Sequence, residues 1–417
     1  MPPTPPGIVD IYPDKIHRWN RVVETARESF RLNNYREIII PILEYTEVFA
    51  RGLGDETDIV SKEMFTFEDR GGRSLTLRPE GTASVVRAYV ANGDYHRLST
   101  AKFCYFGPMF RAEKPQKGRL RQFNQFGAEL FGSGHPYYDY EVIAMMDHIA
   151  GGLDIGKYRL LLNSIGCPEC RAGYLEELKN YYRAHEARLC EDCRRRLERN
   201  TFRLLDCKQE SCAALKEGAP VITGYLCAGC AAHFDSVKGY LSRGGVDYEE
   251  DPFLVRGLDY YTRTTFEFVT DRLGGQNAFA AGGRYDNLVE LFGGKPTPGV
   301  GFAAGIERLL LLMEDSDISA GGVDAYVVHS GEAALPLAVD LLGLLKKAGI
   351  SAEMEPESRG FKAQFKKAHR EKARFALIIG EDEAGDGSCT VKNMLSGEQR
   401  RMSIQKCVEF LASMPRQ

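Results

Sequence analysis

PMFRAEKPQKGRLRQFNQFGAE, residues 108–129, decides how the rest of the chain is read. Its flanks, KFCYFGPMFR (102–111) and RQFNQFGAELFG (121–132), have the aromatic, alternating texture of strands, and Pro115–Gly118 supplies a turn between them. Arg111, Lys114, Lys117, Arg119 and Arg121 recur along the stretch with few acids. If Arg111 and Phe123 face inward they suit a nucleotide, because a guanidinium forks onto phosphate and an aromatic ring stacks on a base. The stretch also suits an exposed basic hairpin with no ligand, since charge runs are usually solvated faces.

Upstream, residues 14–33 predict a helix: Ile16, Trp19, Val22, Val23, Ala26 and Phe30 recur at three-to-four spacing. REIIIPILEY (36–45) reads as a strand, and Pro41 inside it points to a sheet edge or to a contact with another chain. Between Lys62 and Leu130 the chain is strand-rich, with a turn at DRGG (69–72), and residues 138–150 return to helix. Residues 167–235 form a separate cysteine-, arginine- and glutamate-rich helical segment. FEFV, AGGRYD and GVGFAAGIERLLLLM then restore strand, glycine turn and helix. Near residue 320 the polar linker MEDSDISAGG leads into AYVVHS (strand), LPLAVDLLGLLKKAG (helix), ISAEME (strand), GFKAQFKKAHREKA (helix), FALIIG and SCTVKN (strands) and a last helix, a compact α/β unit. The chain therefore divides into a mixed body (1–166 with 236–320), a cysteine-rich helical insertion (167–235) and a C-terminal α/β unit (325–417).

The 417 residues are 43% hydrophobic and 27% charged, an ordinary globular balance that excludes disordered, collagen-like and coiled-coil chains. No apolar run reaches the length of a membrane span, and MPPTPPGIVDIYPDK lacks the basic-then-apolar pattern of a secretory signal, so a cytoplasmic protein is expected. A net charge of −4 does not favour nonspecific polyanion binding; a nucleic-acid partner needs local basic patches.

Three further clusters are rich in polar chemistry. In Arg78-Pro79-Glu80-Gly81-Thr82 the glutamate at a strand end suits an ammonium group, or else Thr82 caps a helix. Arg256-Gly257-Leu258-Asp259-Tyr260-Tyr261 reads as an amphipathic pocket wall or as core packing. Gly299–Arg308 runs from a glycine-rich strand into a helix bearing Arg308. No nucleophile triad, P-loop or GxGxxG opens anywhere, so these arginines, glutamates and tyrosines suit a reaction whose nucleophile comes from the substrate, with the protein positioning groups and neutralising charge.

In their order along the chain these segments resemble one family. FRAE (110–113) with RQF (121–123) resembles motif 2 of the class II aminoacyl-tRNA synthetases. GIERL (305–309) resembles motif 3, and Pro41 with its flanks resembles motif 1, the dimer-interface motif. RGLDYYTRTTFEF (256–268), AGGRYD (281–286) and LRPEGT (77–82) are similar to segments of the histidyl branch. On these motifs the chain is identified as a member of the bacterial histidyl-tRNA synthetase family over essentially its whole length, and its C-terminal unit resembles the family's anticodon-binding domain.

The resemblance implies an α+β fold, with the class II antiparallel sheet flanked by helices, and a homodimer. It implies L-histidine, ATP with Mg²⁺, and tRNA(His) as ligands. Glu80, Gly81 and Thr82, helped by Gln125, would meet the histidine α-ammonium; Glu129 and Tyr261 would bracket the imidazole, with Tyr260 shaping the pocket. A neutral imidazole offers one donor and one acceptor, which a carboxylate and a phenol can satisfy. Arg111 would hold the ATP α-phosphate, Arg308 the γ-phosphate and Phe123 the adenine, with Glu113 and Arg119 in the same subsite. Arg256 would sit at the carboxylate and α-phosphate, where charge builds up, so Arg256 and Arg111 are the expected catalytic pair. Gln116, Lys117 and Arg119 would reach the tRNA acceptor end. In RGFKAQFKKAHREKAR (359–374), seven Lys/Arg against one Glu, Lys366, Lys367 and Arg370 would face the anticodon stem, the plainer reading being a solvated helix face.

Eight of the eleven cysteines lie between Cys167 and Cys230. In a reducing compartment such pairs suggest metal or redox chemistry rather than disulfides. Cys167-x2-Cys170 and Cys190-x2-Cys193 have zinc-ribbon spacing and predict one four-cysteine zinc site; Cys207, Cys212, Cys227 and Cys230 could form another. Reduced cysteines packing a small helical domain are the alternative. If zinc binds, its role is structural, and an arginine-rich helix at 183–203 is expected against the tRNA acceptor arm.

Two rival functions fit the motifs less well. A regulatory paralogue that binds effectors in histidine biosynthesis generally lacks the C-terminal domain and parts of the motifs, and this chain keeps Arg111, Arg256, Arg308 and both tyrosines. A synthetase for proline, threonine or glycine fits RGLDYY with Glu129 poorly.

Overall fold

The basic loop is carried by two ten-residue strands, Ala101–Phe110 and Gln122–Phe131, paired antiparallel along their whole length. They belong to an eight-stranded sheet. In chain order its strands are β1 (Arg36–Glu37), β2 (Ala101–Phe110), β3 (Gln122–Phe131), β4 (Arg159–Ser164), β5 (Glu249–Glu250), β6 (Thr262–Val269), β7 (Ala278–Arg284) and β8 (Gly299–Gly305). Across the sheet they lie β1-β2-β3-β8-β7-β6-β4-β5. All inner pairings are antiparallel; only the two-residue edge strands β1 and β5 run parallel to their neighbours. This computed structural model describes the chain apart from residues 1, 55–56, 58, 117, 275–276, 314–320, 358–359 and 415–417. Lys117 and most of the expected linker at 313–322 therefore lie outside the described residues.

The helix Pro13–Leu32 covers one face of this sheet. Its buried residues are Val22, Ala26, Ser29 and Phe30, so only its C-terminal half makes core, and Ile16 from the predicted stripe is exposed. Phe30 meets Phe106, Phe126 and Phe302 at centroid distances of 5.8, 6.0 and 6.3 Å, which fixes the helix across strands β2, β3 and β8.

REIIIPILEY is not one strand. Arg36–Glu37 joins the large sheet, Leu43–Tyr45 joins a separate three-stranded sheet with Ser74–Leu77 and Phe65–Glu68, and Pro41 lies between them in neither. The carbonyls around the proline are satisfied by a side chain: Arg78 donates to Ile40 O at 2.6 Å and Pro41 O at 3.3 Å, and also to Pro108 O at 2.8 Å. A proline that cannot donate to a ladder is thereby tied to the sheet.

The insertion is helical, yet 183–203 is not one helix. Pro168–Ala184 ends before His185, Glu191–Arg199 starts afresh with Cys190 at its N-cap, and a 3₁₀ turn, Thr201–Asp206, follows. Chain reversals at these points wrap Tyr174, Leu178, Tyr182, Leu189, Leu197, Leu204 and Leu205 into a small core of their own. The last helix, Ala228–Arg243, returns to the body. There His233 Nε2 and Arg284 share Asp139, with Arg284 and Asp139 both fully buried.

Residues 1–317 and 318–417 are two compact units. The second holds β9 (Ala325–His329), β10 (Ala352–Met354), β11 (Phe375–Ile379), β12 (Ser388–Asn393) and β13 (Gln399–Ser403) in the order β10-β9-β11-β12-β13. Helices Ala334–Lys347, Phe361–Arg370 and Ile404–Ala412 accompany them. Strand β13 and the short helix Glu381–Asp386 have no counterpart in the sequence reading; QRRMS is an edge strand that buries almost nothing, so no apolar alternation marks it. Among the described residues no helix is long and apolar enough to cross a membrane.

Candidate active site

The antiparallel centre of the large sheet floors a cavity of about 350 Å³. Residues from the expected motifs of the body other than the Pro41 segment converge on it: Glu80 and Thr82; Arg111, Glu113 and Arg119; Phe123 and Gln125; Arg256, Tyr260 and Tyr261; and Arg308. They come from five separate segments of chain: the turn into helix Thr82–Ala91, the loop of the basic hairpin, strand β3, the loop Arg256–Tyr261 before strand β6, and the helix after strand β8.

The basic side is built by the hairpin and motif 3. Arg111 donates from Nε to Pro79 O at 3.0 Å and lies over the Phe123 ring, 5.3 Å from its centroid. Arg119 pairs with Glu113 at 2.8 Å, and Arg308 donates to Gly118 O at 3.0 Å and to Ala278 O. Burial and the neighbouring charges of Arg111 and Arg119 all lower the Arg308 pKa, so three like charges are held in one place without full compensation. Such a cluster is complementary to an anion. Glu307, beside Arg308, takes both the backbone and side-chain amides of Asn124 at 2.8–2.9 Å and so locks the motif-3 helix to strand β3.

Arg256 is mostly buried: Nη1 pairs with Glu267, the guanidinium lies 5.7 Å from the Tyr261 ring centroid, and Nε is buried without a partner among the described residues. Burial opposes its charge, but the Glu267 carboxylate together with Tyr261 and Tyr260 outweighs it, raising its pKa.

The polar end differs in detail from expectation. Glu80 itself caps the helix Thr82–Ala91, accepting from Thr82 N and Ala83 N at 2.7 Å each; Thr82 is not the capping side chain. A carboxylate offers about four acceptor positions, so Glu80 retains capacity toward the cavity. Thr82 instead donates its hydroxyl to Glu129 at 2.6 Å. Glu129 lies fully buried beneath the cavity floor, and its second oxygen accepts from the Tyr285 hydroxyl. Burial pushes the Glu129 carboxyl up to about 8. Gly81 contributes by absence, since a side chain there would collide with the Tyr105 ring, and Gly301 leaves the same room for Glu129. The Gln125 side-chain oxygen is buried with no hydrogen-bond partner among the described residues.

Tyr285, Tyr105, Glu267 and Glu307 were not singled out in the sequence. AGGRYD drew attention to its glycines, and Tyr285 sits two residues beyond them; Glu267, inside RTTFEF, looks like any outward polar residue of a strand. Gln116 does not line the cavity; its backbone closes the loop by pairing with Arg119. In the C-terminal unit Lys366 and Arg370 are exposed, whereas Lys367 is half-buried against Glu355 at 3.0 Å.

None of the eleven cysteines is in a disulfide. Eight of them form two clusters, but not the pairs that spacing suggested. Cys167 and Cys170 meet Cys227 and Cys230, while Cys190 and Cys193 meet Cys207 and Cys212. Cys167 and Cys227 are the N-cap residues of helices Pro168–Ala184 and Ala228–Arg243, so the starts of these two helices meet at the outer cluster. Within each cluster all four sulfurs lie within 4.8 Å of one another. A tetrahedral Zn²⁺ with Zn–S near 2.3 Å needs S···S of about 3.8 Å. Cys190 and Cys207 Sγ are 3.9 Å apart and Cys167 and Cys170 Sγ 3.5 Å, so the donor set fits such an ion. Backbone amides also point at the sulfurs, Cys227 N to Cys170 Sγ at 3.1 Å and Cys190 N to Cys212 Sγ at 3.2 Å, as bound thiolates require.

An antiparallel sheet flanked by helices, with an arginine-lined cavity over its centre and motifs 2 and 3 on adjoining strands, defines a class II aminoacyl-tRNA synthetase. A histidyl-tRNA synthetase family model matches residues 7–309, and an anticodon-binding-domain model matches residues 324–414. The histidine–tRNA ligase of Halothermothrix orenii is 49% identical over 408 residues, 97% of each chain, and that of Natranaerobius thermophilus 47% over 409 residues, again 97% of each. The crystal structure of the apo histidyl-tRNA synthetase of S. aureus is similar with a TM-score of 0.83 at 37% identity, covering 99% of this chain and 100% of that one. The chain belongs to the histidyl-tRNA synthetase family, whose members are ligases joining histidine to tRNA at the expense of ATP.

Proposed function

We propose that the cavity activates L-histidine and that the two steps of the ligase reaction divide among its residues as follows. Glu80 and Gln125 bind the α-ammonium, with Gly81 and Thr82 shaping that end. What carries this reading is the Gln125 oxygen, a buried acceptor without a partner on the cavity wall. An unmet buried acceptor is costly alone and is satisfied by an ammonium donor. Tyr260, Tyr261 and the Glu129–Tyr285 pair recognise the imidazole. Arg111 and Arg308 hold the α- and γ-phosphates, Phe123 stacks on adenine, and Glu113 and Arg119 complete the ATP subsite, with Mg²⁺ on the pyrophosphate oxygens.

In the first step a histidine carboxylate oxygen attacks the α-phosphorus, and the bond to the bridging oxygen of pyrophosphate breaks. Arg256 and Arg111 neutralise the charge that accumulates on the α-phosphate; an arginine keeps its charge at any working pH. In the second, a terminal ribose hydroxyl of tRNA attacks the carbonyl carbon and AMP leaves with the bonding pair. Gln116, Lys117 and Arg119 approach the acceptor end, while Lys366, Lys367 and Arg370 meet the anticodon stem.

The working protein is a cytoplasmic homodimer in this reading. The run around Pro41 supports the dimer: Ile39 is 90% exposed, with Ile42, Leu43, Tyr45 and Phe67 also exposed. Each cysteine cluster holds one structural Zn²⁺, supplying stability that so small a core lacks.

Pyrophosphate exchange into ATP, without tRNA, across all twenty amino acids tests the reading. Exchange with histidine alone is expected. A folded protein that binds ATP but supports no exchange would overturn it.

A further inference from the structure

The inner cysteine cluster brackets a turn that touches the active site. Thirteen residues separate Cys193 from Cys207, and the last of them form the turn Thr201–Asp206. Leu204 and Leu205 point inward and pack with Cys193, Leu197 and Cys212 in the insertion core. Arg203 and Asp206, on the other side of the turn, line the histidine and ATP cavity. Arg203 stands so close to Gly257 that a methyl group on that glycine would lie 3.1 Å from its Nη1. Just before the turn, Asn200 donates from Nδ2 to both carboxylate oxygens of Asp259, at 2.9 and 3.0 Å. Gly257 and Asp259 belong to the loop Arg256–Tyr261, which carries Arg256 at one end and the paired tyrosines at the other. The insertion's first helix reaches the same loop, where Arg171 donates to Tyr261 O at 3.2 Å.

We propose that the insertion takes part in amino-acid activation itself. The turn held by Cys190, Cys193, Cys207 and Cys212 with a bound Zn²⁺ positions the Arg256–Tyr261 loop, and Asn200 is the positioning residue through which it acts. This rests on reading the cluster as a metal site and the cavity as the activation site. The turn has no sheet to hold it, only the packing of Phe202, Leu204 and Leu205 in a small core. Four sulfurs on one ion fix both of its ends at once, which a small core of this size does not do. Misplacing a charged group by about 1 Å costs as much as about a hundredfold in rate, so a loop carrying Arg256 needs such a hold.

The test uses the full-length, zinc-loaded protein and follows histidine-dependent pyrophosphate exchange, zinc content by mass spectrometry and thermal unfolding. Wild-type exchange with histidine establishes the parent reading beforehand, and absence of wild-type exchange counts against that reading alone. Asn200→Asp sets two carboxylates face to face. It is expected to lower kcat/KM for exchange by about tenfold, with zinc content and Tm unchanged. The exchanged pair Asn200→Asp with Asp259→Asn restores an amide-to-carboxylate bond and is expected to recover most of the loss. Cys193→Ser is expected to lose one zinc per chain and to raise the KM for histidine. Unchanged exchange in zinc-replete Asn200→Asp would overturn the proposal. So would a loss that tracks Tm or zinc content and is not recovered by the exchanged pair, because the insertion would then act through folding alone.

Discussion

Tyr285 donates its hydroxyl to Oε2 of Glu129, a carboxyl with no exposure to solvent, while Thr82 occupies Oε1. Burial raises this carboxyl from 4.5 to about 8. The folded chain therefore keeps the proton at neutral pH, whereas the unfolded chain releases it near pH 4.5. Its favourable contribution is complete below pH 4.5 and is lost as pH rises through about 8. Glu129→Gln mimics the protonated form and removes this slope. Thermal unfolding should find wild type and variant close together at pH 5 and the variant the more stable at pH 9. In the proposed reading the same variant should raise the KM for histidine in exchange, because Glu129 reaches the cavity through Tyr285, whose hydroxyl it holds.

The sequence showed Glu129 but not Tyr285, and the reason is geometric. Strand β7 places Gly283 opposite Gly301 and turns Tyr285 back under the sheet, a relationship between strands that no single segment reveals. The fold was legible where chemistry is local: the Pro–Gly turn of the basic hairpin and the strand-to-helix step at GIER. AGGRYD reads as a glycine turn, but its glycines lie inside strand β7, where the close approach of β6 and β8 on either side leaves no room for a Cβ. The fold was hidden where tertiary contacts decide. Pro41 reads as part of a strand until Arg78, far along the chain, takes its carbonyl. The cysteine spacing suggests consecutive pairing, and only the tertiary meeting of two helix N-termini, at Cys167 and at Cys227, brings Cys227 and Cys230 to Cys167 and Cys170. Polar edge strands such as QRRMS carry no signal because they bury nothing.

Arg284 should be the most costly side chain to remove from the body. It makes three bonds to Asp139 at 2.7–3.1 Å and reaches Asp286 and Ser133 O, with no exposure. Burial raises the Asp139 pKa, yet Arg284 and His233 outweigh it and hold the carboxyl at about 2. Arg284→Met leaves that charge buried, and urea unfolding should show a loss of about 3–5 kcal/mol. Adding Asp139→Leu should recover much of it, because an apolar pair of similar volume removes the stranded charge.

Arg256 has a different signature. Its partner Glu267 is in the same cavity, so Arg256→Ala should leave Tm nearly unchanged. The kcat of exchange should fall about 10²–10³-fold, with histidine KM moving little, as expected for a group that acts on charge formed in the transition state. A drop confined to KM would assign Arg256 to ground-state binding instead.

If helix Phe361–Arg370 of the C-terminal unit binds tRNA as proposed, charge changes there should separate binding from chemistry. Lys366 and Arg370 are exposed there, while Lys367 is engaged by Glu355. Lys366→Glu with Arg370→Glu should weaken tRNA binding and flatten its dependence on salt, since fewer counterions are released. Pyrophosphate exchange without tRNA should be untouched. Lys367→Ala should do less than Lys366→Ala, because its ammonium is already committed.

The segment around Pro41 gives the last expectation. Ile39 is 90% exposed and stands beside a small sheet that also shows Leu43, Tyr45 and Phe67 to solvent. Apolar groups gathered this way mark a contact surface, and each large one withdrawn from water contributes on the order of 1.5–3 kcal/mol. Arg78 stiffens the segment from below through the Ile40 and Pro41 carbonyls, so the surface is held in shape before any partner arrives. Ile39→Asp puts a charge at its centre without touching the monomer's core. Sedimentation should find wild type as a dimer at micromolar concentration and the variant shifted toward monomer, with the helical content of the two alike. A wild type that sediments as a monomer throughout would remove this surface from the account of assembly and leave its exposure to be explained by another partner.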